Sequence, residues 1–188
     1  IKELLIREIN TGNNTHPVHG TDNKSAAEQG DIVIITVPFS SHSAILQEIS
    51  SAVAGKIVAD ATVPLMPPKV ATVQLPTTGS AAFLTQEALG GRADVVAAFH
   101  NVAADKLRKL GPIDCDVLVC GNKKSARQTV IKLVNGLGMR GLHAGPIENS
   151  AAAEALTSVL ITINRIYKVD GAGIRITGNL TAPDFDNV

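Results

Sequence analysis

The run "GDIVIITVPFSSH" (30–42) constrains the fold more than any other stretch of this chain. Positions 32–37 are apolar or β-branched without polar alternation, the pattern of a strand covered on both faces. Such strands belong to sheets whose chain returns through a covering helix. The pattern recurs in "KIVADATVPL" (56–65) and "ADVVAAFHNV" (93–102), and two further strands are predicted in "DCDVLVCG" (114–121) and "MRGLHAGP" (139–146).

Helical spacing fills the intervals. Residues 2–9, "KELLIREI", read as the end of an amphipathic helix, 10–17 as a loop, and Val18 with its neighbours as a short strand. "TDNKSAAEQG" predicts a helix capped by Thr21 or Asp22 and stopped by a left-handed Gly30. The next helix starts at Ser40 or Ser41, buries Ile45, Leu46 and Ile49, and ends at Gly55. Three more helices follow: 80–89, 123–138, and a long one from Asn149 to about Lys168 with Ala152, Leu156, Leu160 and Ile163 on one face. The tail from Asn179 reads as frayed. Strand and helix alternating in this way predict an α/β fold with a mostly parallel sheet, helices on both faces and right-handed crossovers.

Ligands of such sheets bind outside the carboxyl ends of the strands. Thr36-Val37-Pro38, Thr62-Val63-Pro64 and Phe99-His100-Asn101 all fall at strand ends, on one rim. A residue before proline is held extended and proline offers no N–H. Two Val-Pro exits therefore predict rigid, apolar backbone walls suited to a flat ring or a ribose; the plain alternative is that each proline only ends a strand.

Composition removes several classes of function. Lysine plus arginine and aspartate plus glutamate are 17 each, so the basic excess of a nucleic-acid-binding domain is missing. Aromatic residues make up 3% of the chain with no tryptophan, against base-stacking platforms. No apolar run approaches the ~20 residues that cross a bilayer. Cys115 and Cys120 lie five apart on a strand, facing opposite sides, and match no zinc spacing. They are expected to be buried thiols in a reducing cytoplasm. The chain begins at Ile1 with its first methionine at Met66, and is read as a fragment trimmed at its front.

Taken together, "GDIVIITVPFSSH", "GKIVADATVPL", "VVAAFHNVAA", "DCDVLVCG" and "GLHAGPIENSAAAEALTSVLITINRIYKVDGAGIRITG" resemble the NADPH-dependent coenzyme F420 reductases, from about Asn23 to Gly178. The resemblance implies a Rossmann-like fold lacking here its first strand and glycine-rich loop. It further implies an incomplete NADP-binding domain over 1–146, a C-terminal helical segment over 147–178 contributing to the F420 site and to a possible homodimer, and a tail over 179–188. The implied activity is hydride transfer between NADP and the deazaflavin coenzyme F420, by a cytoplasmic enzyme without nucleic-acid or membrane partners.

By resemblance, Thr36, Val37 and Pro38 line the NADP side, with His42 in the first turn of the following helix, and Thr62, Val63 and Pro64 form the next wall. His100, Asn101, Val102 and Ala103 are expected where the two rings meet, and Glu154 and Thr157 beside the deazaflavin. His100 is the candidate for chemistry, since reducing F420 takes up a proton beside the hydride and an imidazole titrates near neutrality. A structural role is the alternative for His100; Glu154 is read alternatively as a carboxylate favoured near a helix start. His143 is read as structural, His16 and His19 as solvated, and Lys123, Lys124 and Arg127 as an exposed helix start.

Two departures from the family stand out. Gly12 and Gly20 form no G-x-G-x-x-G turn and no Ser/Thr-Arg pair for a 2′-phosphate is found, so binding of the NADP phosphates by this chain is not expected. Ala151-Ala152-Ala153 stands where some relatives carry an arginine. The competing readings are another NADP-linked reductase on the same scaffold, of the ferric-chelate or imine reductase type, and a non-catalytic nucleotide-binding or interaction module.

Overall fold

A computed structural model describes residues 18–108 and 112–181. The helix expected over 2–9, the loop over 10–17, His16 and the last residues of the tail lie outside the described residues. The described elements run α1 (Asn23–Gln29), β1 (Ile32–Ile35), α2 (Phe39–Ile49), β2 (Ile57–Asp60), α3 (Ala81–Leu89), β3 (Asp94–Ala97), α4 (Ala104–Leu107), β4 (Asp116–Gly121), α5 (Lys124–Gly136), β5 (Arg140–His143), a 3-10 turn (Ile147–Asn149) and α6 (Ser150–Tyr167). Residues 18–21, on the described side of the short strand expected there, have no regular structure.

The strands form one Rossmann-like sheet in the order β1-β2-β3-β4-β5. β1, β2 and β3 are mutually parallel, with Ile35 beside Asp60 and Asp60 beside Ala97, and β4 and β5 are parallel. The β3–β4 pair is antiparallel, Ala97 facing Cys120. Among the described residues, its connection carries the four-residue α4 and no helix long enough to cross the sheet, and the chain turns back on its own rim. The Asn101 side chain fastens this turn, Nδ2 donating to the Asp116 carbonyl at 2.6 Å.

Alternate strand residues supply two cores. Val58, Val95, Ala97 and Cys120 face Leu46 and Ile49 of α2, Ala82 and Leu89 of α3, and Ile147. Ala59, Val96, Val117 and Val119 face Ala126, Val130 and Val134 of α5. β1, expected to be covered on both faces, has only one covered: Ile35 is buried among α1 and α2 while Ile34 is 45% exposed. It is the edge of the described sheet, where no helix of the described residues packs over Ile34.

Several helix ends differ from expectation for local reasons. Asp22 caps α1 by accepting from Ser25 N at 2.9 Å. Gly30 stays extended instead of left-handed, because the Lys56 ammonium already takes the α1 carbonyls of Ala27 and Glu28 at 2.6 and 2.7 Å. α2 begins directly after Pro38 and ends at Ile49, since Ala52 and Val53 turn inward to the core before Gly55. Asn149 does not cap α6 through its side chain; its amide donates to the Ala144 carbonyl at 2.7 Å. The buried stripe of α6 runs through Ser150, Ala153, Glu154, Ser158 and Leu160, and Ala152 is exposed.

The antiparallel β3–β4 pair is close at Gly121, where an added Cβ would lie 2.8 Å from the Val95 carbonyl oxygen. Backbone of a central strand cannot retreat without moving its neighbours. Gly121→Ala is therefore expected to lower stability by about 1–3 kcal/mol, read as a lower urea midpoint at unchanged slope.

Candidate functional site

The carboxyl ends of β1 and β2 enclose a cavity of about 660 Å³, within the range of small-molecule sites. Its walls are Thr36, Val37, Pro38, Phe39 and Ser40 from the first exit, Ala61, Thr62 and Val63 from the second, and Leu65, Met66, Pro67 and Val70 from the excursion that follows. None of these residues is charged. The excursion is tied to α6, whose Ser158 and Thr162 hydroxyls donate to the Thr72 and Ala71 carbonyls at 3.3 Å.

Of the residues expected on this wall, Thr36, Val37, Pro38, Thr62 and Val63 are brought together. Pro64 is buried behind them and His42, though in the first turn of α2, points into the protein. Asn101, Val102 and Ala103 line a different cavity of about 270 Å³, with Lys106, Cys115 and the turn Gly171–Gly173. His100 and Glu154 line neither cavity; they are buried between elements, and Thr157 donates to the His100 carbonyl at 2.7 Å.

Below the rim lies a polar cluster. Asp60, the last residue of β2, is fully buried. Its Oδ1 accepts from Thr62 N at 2.8 Å, and its Oδ2 accepts from Thr85 Oγ1 at 2.5 Å and lies 2.8 Å from His42 Nε2. With two oxygens facing it, Nε2 carries the imidazole proton. Burial works to raise the Asp60 carboxyl, yet the bonds from His42, Thr85 and Thr62 prevail and hold it below its ordinary value. The carboxylate thereby fixes the direction in which the chain leaves β2 along the cavity wall.

Glu154 does a similar task for α3. Its carboxyl accepts from Ala81 N at 2.7 Å and Ala82 N at 3.0 Å, the free donors at that helix start, while Ser80 caps Phe83 N and receives a bond from Ser150 Oγ at 2.7 Å. The helix start that favours Glu154 is thus that of α3, not of its own helix. Burial raises this carboxyl to about 7, reinforced by the Asp60 charge. His100 follows Phe99, a non-glycine residue at φ 71°, which swings the ring under the rim. Burial lowers its imidazole to about 4, so at neutral pH the ring is uncharged.

Arg127, expected at an exposed helix start, is a buried strut: its guanidinium donates to the Gly121 carbonyl and, through Nε, to His143 Nδ1 at 3.1 Å. Burial, with Arg127 next to it, holds the His143 imidazole low. Lys123 stays exposed and pairs with Asp94 at 2.8 Å. His19 is exposed. Both cysteines are buried free thiols, and burial raises Cys120 to about 11.

Sequence reasoning missed Asp60 and Thr85. Asp60 left a trace, a carboxylate inside an otherwise apolar strand; Thr85 left none.

A mostly parallel sheet with helices on both faces and an uncharged cavity at its strand exits defines a Rossmann-like scaffold with a small-molecule site at the usual rim. Residues 7–64 match the family described as NADP oxidoreductase, coenzyme F420-dependent. The F420-dependent NADP reductase of Methanocaldococcus jannaschii is 40% identical over 163 residues, 84% of this chain and 73% of that protein. That of Methanothermobacter marburgensis is 35% identical over 85% of this chain and 74% of that protein. The crystal structure of an Arthrobacter sp. FB24 protein superposes with a TM-score of 0.75 at 25% identity, over 84% of this chain and 74% of that one. The chain belongs to the family of F420-dependent NADP reductases.

Proposed function

We propose that this protein transfers a hydride between NADPH and the deazaflavin of coenzyme F420. The observation that carries the reading is the uncharged cavity between the two Thr-Val-Pro exits, in a chain of this family. Hydride transfer between two rings needs near-contact stacking and exclusion of water more than a charged group, and these walls are short, apolar and stiff. Thr36, Val37, Thr62 and Val63 are assigned to the nicotinamide side, with Pro38 and Pro64 stiffening the exits. Asn101, Val102 and Ala103 line the separate smaller cavity and are not assigned to ring contact. His42 is assigned a supporting role through Asp60 in place of direct contact.

The fit is to the ring end of NADP. No Lys or Arg lines the larger cavity, so grip on the phosphates is not assigned to it. Among the described residues no helix is long and apolar enough to cross a membrane. We further infer a cytoplasmic enzyme, in keeping with its free thiols, that pairs two-fold through the exposed Val159, Ile166 and Tyr167 of α6.

Mixing the protein with NADPH and F420 should bleach the visible absorption of the deazaflavin in step with NADPH loss. Val63→Glu, which sets a charge in the ring slot, should lower kcat/KM at least about tenfold while the circular dichroism spectrum is kept. Reduction of small imines with no turnover of F420 would replace this reading by the other reductase type.

A further inference from the structure

Beside the cavity lie buried polar atoms that lack partners among the described residues. Among the described residues, neither ring nitrogen of His100 nor the hydroxyl of Thr62 has a well-formed hydrogen-bond partner. Interiors seldom tolerate such atoms unless they serve something. Thr62 lines the cavity, and its backbone lies close enough to the His100 ring to act on its ionisation. On the far side, His100 Nε2 stands 3.9 Å from Glu154 Oε1, with both side chains fully buried. That is too long for a hydrogen bond at rest, so transfer requires the ring to turn toward the carboxyl. The Glu154 carboxyl is itself anchored from behind by the Ala81 and Ala82 N–H groups. One end of the set is therefore a fixed carboxyl and the other opens on the cavity.

We propose that Glu154, His100 and Thr62 form a proton relay, with Glu154 as the buried store that supplies the cavity while water is excluded from it. The inference rests on the redox reading above, in which one proton enters as the deazaflavin is reduced and leaves as it is oxidised. The hydride carries a hydrogen nucleus and two electrons from one ring to the other; the accompanying proton has to come from the protein or from solvent. Along the relay, Glu154 gives its proton to His100 Nε2, His100 releases the Nδ1 proton to the Thr62 hydroxyl, and Thr62 passes its own proton into the cavity. Glu154 is left a carboxylate, stabilised by the two N–H donors at the start of α3. The ring is left as its other tautomer. With the cavity open, a solvent proton runs the same path inward and restores both.

The balance of protonation agrees with this geometry. Burial raises the carboxyl to about 7, so below that pH it holds the proton, and keeps the ring neutral. The other ionisable groups facing the pair are Asp60, whose charge acts on both members, and the Cys120 thiol, which stays protonated.

Two readouts test the store and the relay separately. Infrared difference spectra of the full protein without cofactors should show the stretch of a buried, protonated carboxyl that titrates near pH 7, and Glu154→Gln should abolish it. The absence of a titrating band in the wild type overturns the store whether or not F420 is the substrate. In turnover, the wild-type rate of F420 reduction should fall as pH rises through about 7. Glu154→Gln should lose about tenfold in kcat below that pH and lose the pH dependence, with the KM for NADPH unchanged. Thr62→Val should keep the infrared band and lose kcat, because it cuts the path at the cavity and spares the store. Wild-type kcat and pH profile in both variants would overturn the relay. A wild type with the band but no F420 turnover would sink the redox reading and the relay, leaving the store.

Discussion

Asp60→Ala is expected to destabilise the protein by about 3–5 kcal/mol and to loosen the cavity wall. Three donors converge on this carboxylate, the neighbouring Thr62 N at 2.8 Å and, from elements distant in sequence, Thr85 Oγ1 at 2.5 Å and His42 Nε2 at 2.8 Å. All three parent residues are buried, with exposures of 2%, 0% and 1%, so water cannot replace the lost acceptor. Each orphaned donor costs about 1–3 kcal/mol, and the total falls below their sum because neighbours relax together. Asp60→Asn should fall between, since its Oδ1 still accepts from Thr62 while its amide N–H₂ meets the His42 and Thr85 donors. The Thr62–Val63 wall is set by the first of these bonds, so KM for NADPH should rise in both variants.

The pH dependence of that stability has a defined sign. The folded Asp60 carboxyl lies below its ordinary 3.8, so its contribution is present above about pH 4 and is lost as pH falls through the folded value. Acid unfolding of the Ala variant should lack that component. Glu154 behaves oppositely: raised from 4.5 to about 7, it gives stability that is complete below 4.5 and lost as pH rises through 7. His100, lowered from 6.5 to about 4, refuses a proton that the unfolded chain binds, so stability falls as pH drops across that interval. Between about pH 4.5 and 6.5 the two effects offset, because folding moves one proton from imidazole to carboxyl without changing the count. Glu154→Gln should expose the His100 slope in urea titrations over that range.

The strand runs were legible because a strand covered by helices must be apolar on both sides, and few other environments tolerate "IVIITV" or "VVAA". The rim was legible because proline leaves only extended backbone before it, and two such exits do meet at one cavity. Strand direction was not encoded in those runs. The antiparallel β4 goes with a connection whose described residues hold only the short α4, a property of that connection and not of "DVLVCG". The supporting chemistry was hidden for a different reason. Glu154 reaches Ala81 across 73 positions and Thr85 reaches His42 across 43, and no periodicity within one element predicts which side of a helix meets a partner that far away. His42 shows this: its place in the first turn of α2 could be read, but not that its ring turns toward Asp60. Arg127 misled in the same way, because a cation near a helix start is usually solvated unless a carbonyl such as that of Gly121 is waiting.

Asp116→Ala is expected to cost about 2–4 kcal/mol and to release the segment that covers the smaller cavity. The carboxylate at the start of β4 is fully buried and grips Arg140 in two parallel bonds, Nε to Oδ1 at 2.7 Å and Nη2 to Oδ2 at 2.5 Å. It also accepts from Ile176 N at 2.6 Å and Arg175 Nη1 at 3.2 Å, while the Asp116 N–H donates to the Ile174 carbonyl at 2.9 Å. One residue thus fastens the stretch after α6 to β4 and β5, and that stretch includes Gly171–Gly173, the cavity wall beside Cys115. The arginines are partly exposed and recover water when the carboxylate goes, which keeps the cost below that of a wholly buried pair. Arg140 holds the Asp116 carboxyl below 3.8, so its contribution, present above about pH 4, disappears as pH falls through the folded value. Hydrogen exchange locates the effect: the amides of Asp116 and Ile176 should lose protection in the variant while those in β2 and α5 retain it. Uniform loss of protection throughout the sheet would mean that Asp116 supports the whole fold and not this clasp.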